Sequence, residues 1–387
     1  MGQPGVFACP QDGRKARRKR VGLCSALAFA AVAGAGIFVP ATQSVASTGG
    51  FNQPGNVLIA DQFNNRVIEA NQNGRILWHF GKGPNDCSPA SIVGTNDTQR
   101  VGDLTLMAGT GIPPGLPSNI TPFSAGCVDN RVLLVNEDGK IVWRYGSFGV
   151  SGSGPNQLNV PVQDTALPNG HILITDQSNE RVIEVKPSKG GVGGTIVWQY
   201  GDGTANNGPN ELNNPNAAEL LPDGHVLISD ENNNRAIEVI PNRTTGVGGP
   251  IVDTISGMVK GITISGVAFA SRLPHGHTLI TDSNNNRIVE LDRHHNFVWQ
   301  YFTNTQAGSN ANPLPTRAVR LFNGDTLISD QFNDRVIEVD HEGDIVRQLG
   351  HLNDQGFGSF STQQDLGAPY DAKVIGDFNG LTPPPGD

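Results

Sequence analysis

The chain has 387 residues and a formal net charge of −9, with only 16% charged and 6% aromatic residues. Gly (49) and Pro (26) are frequent, which favours many short strands joined by tight turns over long helices. The first 46 residues hold six basic residues and one acid, so the remainder has 21 basic against 35 acidic residues, a net charge of −14. A negative surface of this kind repels nucleic acid and anionic lipid, which excludes both as partners of the folded part.

Residues 1–47 have the organisation of an export signal. A basic run at 14–20 precedes an uncharged Ala/Gly-rich stretch at 21–39, and Ser44-Val45-Ala46 offers a small-residue cleavage site. Because about 20 apolar residues suffice to span a bilayer, an uncleaved anchor is the alternative. A cleaved signal and an uncleaved anchor both predict export to the periplasm or the extracellular space, with membrane contact only through an uncleaved N-terminal segment.

Two cysteines follow this segment. Cys9 and Cys24 lie within it, which leaves Cys87 and Cys127 for the mature chain. An oxidising compartment favours disulfides, so the pair predicts one disulfide bond. Metal ligation by the two thiols is disfavoured because no His/Cys cluster accompanies them.

The rest of the chain repeats one unit. Each full copy has a Leu-Pro-x-Gly-His turn, an apolar run ending in Asp, a short Asn-containing turn and an Arg-Val-Ile-Glu run. Copies occupy 56–69, 167–184, 221–238, 273–290 and 321–338, with a degenerate copy at 101–107 and 130–135 that carries an insertion at about 109–127. All four tryptophans take the same place in a later strand of the unit: Trp78, Trp143, Trp198 and Trp299.

These units predict an all-β fold, a six-bladed β-propeller of four-stranded antiparallel blades at 48–378. The first unit begins near Asn56 without an inner strand, and the last segment, 369–375, is an inner strand without a blade. We expect these halves to pair in one blade, which closes the ring and removes exposed strand edges. Residues 379–387 are expected to form a disordered tail, and the protein to be a monomer.

The pattern Asp-x-x-Asn-x-Arg-[Val/Ile]-Ile-Glu, followed by a Gly-rich link such as 201–212, resembles the NHL repeat over residues 55–378. The Leu-Pro-x-Gly-His and Ile-Val-Trp-x-Tyr pieces also look like bacterial arylsulfotransferase-type propellers. The resemblance implies the propeller fold. It leaves function open, because NHL-like propellers include protein-binding modules, lyases and hydrolases.

Polar residues that recur at the same position of successive units are predicted to have structural roles. The Asp of each unit is expected to accept turn amides and the Arg to pair across the hairpin. A calcium loop at 230–234 is the alternative, although it lacks the sharp-turn Gly and closing Glu of known loops. The histidines His171, His225 and His277 follow a turn on the face away from the expected ligand mouth, so a turn role is favoured over a metal site.

Residues that depart from the repeat at the start of the inner strands are candidates for function, because propellers bind ligands where these strands converge. In the degenerate unit, counting from Pro89, which is taken as the Pro that opens the inner strand, places Ser91 and Ile92 at the start of that strand. Six residues there predict a polar ligand-binding mouth: Gln163, Asp164, Asn216, Arg317, Tyr370 and Asp371. The alternative is that Arg317 only neutralises Asp164 or Asp371 around channel water.

The residues at the start of the inner strands also weaken the enzyme interpretations that the resemblance suggests. Arylsulfotransferase-like and lyase-like propellers would place histidines at the mouth, and none occupies the six inner-strand starts in this sequence. The sequence therefore favours a binding or scaffold module for a protein, glycan or small molecule, without a cofactor except for an optional structural calcium. The alternative is a hydrolase or lyase that uses Asp164 and Asp371 with Arg317.

Overall fold

The computed structural model describes residues 50–259, 261–356 and 365–377. The predicted export segment (1–47) and tail (379–387) lie outside the described residues. Within the described ranges, no helix has the length and apolar character needed to cross a membrane.

The strands form six four-stranded antiparallel sheets, which we number as blades 1 to 6. Blade 1 contains β1 (Val57–Asp61), β2 (Arg66–Ala70) and β3 (Ile76–Phe80), and blade 2 contains β4 (Thr95–Val101), β5 (Leu104–Gly109), β6 (Arg131–Asn136) and β7 (Ile141–Gly146). Blade 3 contains β8 (Pro161–Ala166), β9 (Ile172–Asp176), β10 (Arg181–Pro187) and β11 (Gly194–Tyr200), and blade 4 contains β12 (Pro215–Leu220), β13 (Val226–Asp230), β14 (Arg235–Val239) and β15 (Ile251–Ser256).

A two-stranded hairpin, β16 (Met258–Val259) and β17 (Ile262–Thr263), lies in the link to blade 5. Blade 5 contains β18 (Val267–Arg272), β19 (Thr278–Asp282), β20 (Arg287–Leu291) and β21 (Phe297–Phe302), and blade 6 contains β22 (Arg317–Arg320), β23 (Thr326–Asp330), β24 (Arg335–Val339) and β25 (Ile345–Gly350). The last strand is β26 (Pro369–Val374). Short 3-10 turns occupy Gln177–Asn179, Glu231–Asn233, Pro274–Gly276, Ser283–Asn285 and Gln331–Asn333.

The ring closes as the sequence predicts. Strand β26 pairs antiparallel with β1, with Val374 opposite Val57 and Ala372 opposite Ile59, so that it is the inner strand of blade 1. The pairing covers the inner edge of β1 and gives β26 a neighbouring strand, which satisfies backbone groups that an open ring would expose.

The Asp-x-x-Asn-x-Arg element stabilises the turn between the second and third strands. In blade 4, Asp230 accepts hydrogen bonds from Asn233 Nδ2 (2.8 Å), Arg235 Nε (2.6 Å) and the Asn213 amide (2.7 Å). Asn234 follows in the left-handed conformation, at φ 51°, which Asn tolerates better than most residues. The Asp–Arg pair recurs in blades 1, 3, 5 and 6, as expected from the repeat.

Blade 2 builds the same turn from different residues. Its second strand ends at Gly109, where a Cβ would lie 2.5 Å from Asp129 Oδ2. The Asp129 carboxylate therefore occupies the space of the repeated Asp, and it pairs with Arg131 and accepts the Val93 amide at 2.8 Å. The insertion between β5 and β6 thus keeps the turn chemistry of the other blades.

The tryptophan column joins neighbouring blades. Each indole Nε1 donates to a backbone oxygen of the following blade: Trp78 to Glu137 (2.8 Å), Trp143 to Gly193 (3.0 Å), Trp198 to Gly248 (3.0 Å) and Trp299 to His341 (2.8 Å). The hydrophobic clusters likewise combine residues of adjacent sheets, so the core is divided into interblade layers.

Candidate functional site

The inner strands bring the six predicted mouth residues together at the centre of the ring. Their exposed fractions lie between 0% for Asp371 and 8% for Tyr370, so all six are buried. Contacts cross the channel: Asn216 Nδ2 in blade 4 donates to Tyr370 Oη in blade 1 at 2.9 Å. The sequence thus predicted residues that meet in space, whereas their use in ligand binding stays a prediction.

The start of the inner strand in blade 2 was predicted wrongly. Strand β4 begins at Thr95, and Asp97 pairs with Ala108 as Gln163 pairs with Thr175 in blade 3. Asp97 therefore holds the position assigned to Ser91 from the opening Pro. The tight Val101–Leu104 turn contained the missing signal, because counting back from that turn gives the correct register.

Two carboxylates in the channel share one ammonium group. Lys373 Nζ lies 3.1 Å from Asp97 Oδ1 and 2.5 Å from Asp371 Oδ2, and it also donates to the Thr98 carbonyl at 2.7 Å. The Thr98 amide donates to Asp371 Oδ2 at 3.1 Å. Burial and the adjacent Asp371 raise the pKa of Asp97 to about 7, although Lys373 opposes the rise. Neither Asp97 nor Lys373 was among the predicted site residues.

Arg317 crosses the channel from blade 6. Its Nη1 donates to Asn216 Oδ1 (3.3 Å) and the Ala268 carbonyl (3.2 Å), and its Nη2 donates to the Val162 carbonyl in blade 3 (3.4 Å). The guanidinium carbon lies 5.0 Å from the Phe269 ring centre and 5.5 Å from that of Tyr370, within cation–π range. Arg317 therefore ties opposite sides of the ring together.

Asp164 is the one channel carboxylate with neither side-chain oxygen hydrogen-bonded to any described residue. It is 1% exposed, and burial together with the charge of Asp97 raises its pKa well above the usual range. A neutral Asp164 would reduce the excess negative charge of the channel, where Asp97, Asp371 and the Glu231 carboxylate bonded to Asn216 lie near two cations, Lys373 and Arg317. In this closed arrangement, the predicted mouth residues form a polar plug beneath the surface.

The inserted segment between β5 and β6 lies on the face where the inner strands begin. The predicted disulfide is present and joins Cys87, in the link before β4, to Cys127 in the insertion. Ile120 of the insertion packs in a cluster with Phe63 of blade 1 and Phe332 of blade 6, and its carbonyl accepts a hydrogen bond from Gln355 Nε2 at 3.0 Å. The insertion thus spans from blade 2 to the link that follows blade 6.

A cavity of about 530 Å³ lies under this span, which we call the insertion cavity. Its lining combines aromatic and aliphatic groups with amides and two carboxylates, and it includes no Lys, Arg or His: Phe63, Asn119, Ile120, Asn310, Phe332, Asp334, Asn353, Asp354, Gln355 and Ala368. Asp334 is 8% exposed and accepts the Ala368 amide at 2.9 Å. Burial, with the charges of Asp61 and Asp354, raises the pKa of Asp334 to about 6.

Residues of metal-binding type occur together at Asp223, His225 and Glu238, on the opposite face. His225 Nδ1 is 2.6 Å from Glu238 Oε1, and the same pair recurs as His171–Glu184 (2.6 Å) and His277–Glu290 (2.7 Å). Repetition in three blades supports a turn-stabilising role for the histidine and glutamate columns. The oxygens of Asp230 are likewise occupied by the turn described above, which gives a structural account of the 230–234 segment.

Comparison with known proteins supports the fold. No family model matches the chain, and no curated protein matches it. Among solved structures, a protein of unknown function from Bacteroides caccae is 16% identical and superposes with a TM-score of 0.53 over 83% of this chain and 98% of its own. A streptogramin B lyase (16% identity, 78% and 81% covered, TM-score 0.48) and the periplasmic gluconolactonase PpgL of Pseudomonas aeruginosa (12%, 82% and 98%, 0.48) are also similar. At these identities the likeness shows the propeller fold alone.

Proposed function

We propose that this chain is an exported binding propeller whose insertion cavity holds a small organic cation, such as a protonated amine on an apolar body. The observation that carries the proposal is the lining of that cavity, in which two carboxylates and two phenylalanine side chains occur without a basic group. Carboxylates pair with a cation and aromatic rings attract it, so both parts of the lining favour the same ligand. The export pattern and the disulfide support a role outside the cytoplasm.

The position of Asp334 makes it the principal ligand contact of this proposal. Its carboxylate is buried and next to other acidic groups, so ionisation costs free energy in the free protein. A bound cation would offset that cost. Binding therefore favours loss of a proton from Asp334, and the affinity for the cation should fall as the pH is lowered through about 6.

The test uses 2-phenylethylamine and its neutral isostere 2-phenylethanol, with binding followed by titration calorimetry at pH 5 and pH 7.5. We expect the amine to bind more tightly than the alcohol, and the difference to shrink at pH 5. Asp334→Asn keeps an acceptor for the Ala368 amide and should lower affinity for the amine about tenfold, as should Asp354→Asn. Asp223→Asn, on the opposite face, is the matched control and should bind normally. Equal binding of amine and alcohol, or an unaffected Asp334→Asn variant, contradicts the proposal.

The second candidate is a hydrolase or lyase with Asp164 at its centre, and the observation that favours it is the unpartnered, buried carboxylate. Raised carboxyl pKa values suit general acid–base work. For an organic cation the channel is less suitable than the insertion cavity, because Lys373 already pairs with Asp97 and Asp371. Measurements of bound metal and of turnover of ester and lyase substrates distinguish the two candidates. If the hydrolase or lyase candidate holds, bound metal and turnover should both be lost in Asp164→Asn. Binding of the organic cation in the insertion cavity should persist in this variant.

A further inference from the structure

A second cavity of about 220 Å³ lies between blades 2 and 3, on the face opposite the insertion, and we call it the interblade pocket. Apolar side chains make up most of its lining, among them Leu134 and Trp143 of blade 2 and Ala166 and Ile172 of blade 3. Its rim includes the exposed Pro168 and the partly exposed His171, so the pocket is reached from solvent.

The pocket exists because an ion pair found at other blade interfaces is replaced here. Three interfaces have an inner-strand Arg paired with a Glu of the preceding blade: Arg100–Glu69 (2.5 Å), Arg272–Glu238 (2.8 Å) and Arg320–Glu290 (2.7 Å). Between blades 2 and 3, Ala166 takes the place of the Arg and Leu134 that of the Glu. Ala is much smaller than Arg, which leaves space at this layer.

A second side chain that fills other interfaces is also smaller here. The leucine of the Leu-Pro-x-Gly turn packs into the following interface; Leu167 of blade 3, for example, lies in the cluster shared with blade 4. Leu220, which corresponds to Ala166, packs against the same cluster. Blade 2 has Val101 at the position of this leucine, directly before its tight turn at Gly102 and Asp103, and Val101 packs against the cluster between blades 2 and 3. Both filling side chains of this interface are therefore smaller than their counterparts, with Ala in place of Arg or Leu and Val in place of Leu.

The lining indicates the chemistry of an occupant. Because an apolar cavity of about 150 Å³ binds benzene, a pocket of 220 Å³ accommodates one six-membered ring with a short substituent. The Trp143 indole offers an aromatic surface for such a ring. His171 Nδ1 lies 2.6 Å from Glu184 Oε1, which places the proton of a neutral imidazole on Nδ1 and leaves Nε2 as an acceptor. No hydrogen bond to Nε2 occurs among the described residues.

We propose that the interblade pocket is a second ligand site, which takes a small single-ring phenol with its ring among the apolar side chains and its hydroxyl group donating to His171 Nε2. The site is separate from the insertion cavity and uses none of its residues. It rests on Ala166 and Val101, which are smaller than the side chains at the same positions of other blades, and on the His171 Nε2 atom at the rim, which has no hydrogen bond to any described residue.

The experiment compares 4-methylphenol with toluene, each titrated into the purified protein and followed by ligand-observed NMR and tryptophan fluorescence. We expect 4-methylphenol to bind about tenfold more tightly than toluene, and this preference to disappear in His171→Ala. Ala166→Leu introduces the side chain that fills the neighbouring interface and should weaken 4-methylphenol at least tenfold while circular dichroism stays unchanged. Val101→Phe, at the rim, repeats the test if Ala166→Leu does not fold.

Leu220→Ala provides the matched control, because it opens space between blades 3 and 4 and leaves the interblade pocket intact. This variant should bind 4-methylphenol at least as well as the unmodified protein. Failure of the unmodified protein to bind 4-methylphenol at millimolar concentration overturns the proposal. Unchanged affinity in folded Ala166→Leu or Val101→Phe, or equal affinities for 4-methylphenol and toluene, overturns it as well.

Discussion

Replacing Glu219 with Gln should stabilise the protein at pH 8 and leave its stability nearly unchanged at low pH. Glu219 lies on the inner strand β12, is 8% exposed, and accepts the Arg272 amide at 2.9 Å through Oε2. Its Oε1 has no hydrogen-bond partner among the described residues. Burial is the main cause that raises the pKa of Glu219 from 4.5 to about 7.

The sign follows from the protons that each state binds. Between pH 4.5 and about 7 the folded protein holds a proton on Glu219 that the unfolded chain has lost, so this group contributes stability at low pH that is lost as the pH rises. A difference of about 2.5 between the two pKa values corresponds to about 3 kcal/mol. Gln does not titrate and still accepts the Arg272 amide. The variant should therefore gain up to about 3 kcal/mol at pH 8 and little at pH 4.5.

Urea denaturation at pH 4.5 and pH 8 measures this difference directly. Glu342→Gln, at an exposed position, is the control and should change the unfolding free energy by less than about 0.5 kcal/mol at both pH values. The reasoning is refuted if Glu219→Gln gives the same change at both pH values, or destabilises the protein at pH 8.

Three further predictions concern the frame of the ring. Arg335→Ala leaves the buried Asp330 carboxylate without its pair at 2.8 Å and should lower the unfolding free energy by about 3–5 kcal/mol, measured by denaturant titration; a loss below 1 kcal/mol contradicts the structural role of the turn. Cys127→Ser removes the link to Cys87 and should cost about 4 kcal/mol, with the purified single variant also losing amine binding in the insertion cavity; unchanged stability and binding would show that the insertion holds itself in place. Deleting residues 366–387 removes β26 and should yield aggregated protein in size-exclusion chromatography, whereas a folded monomer would contradict closure by that strand.

The repeat and the closure of the ring were predictable because the residues that interact within each unit lie close together in the sequence. The Asp and Arg that pair across a hairpin lie five residues apart, so their contact is readable from spacing, and the unmatched first and last units leave a single way to complete a blade. The Cys87–Cys127 bond was predicted by elimination. These features depend on short sequence distances or on a count of parts.

The site depended on contacts that no spacing encodes. Asp97 was missed because the inner strand of blade 2 begins at Thr95, without the Pro that opens β8, β12 and β26, and Lys373 because it lies further along its strand than the opening positions that were compared. The insertion cavity combines residues near positions 63, 120, 332 and 354, which are far apart in the sequence and become neighbours only when the ring has closed. The interblade pocket arises from side chains that are smaller than their counterparts, and a void of this kind is visible only after packing.

Closure of blade 1 by β26 also determines when the molecule can finish folding. The pairing joins Val57 to Val374, at opposite ends of the described chain, so it must close a very long loop before it gains any ladder hydrogen bonds. During synthesis the first strand waits with an unpaired edge until the last strand has left the ribosome. Until then the unpaired edge of β1 is prone to aggregation.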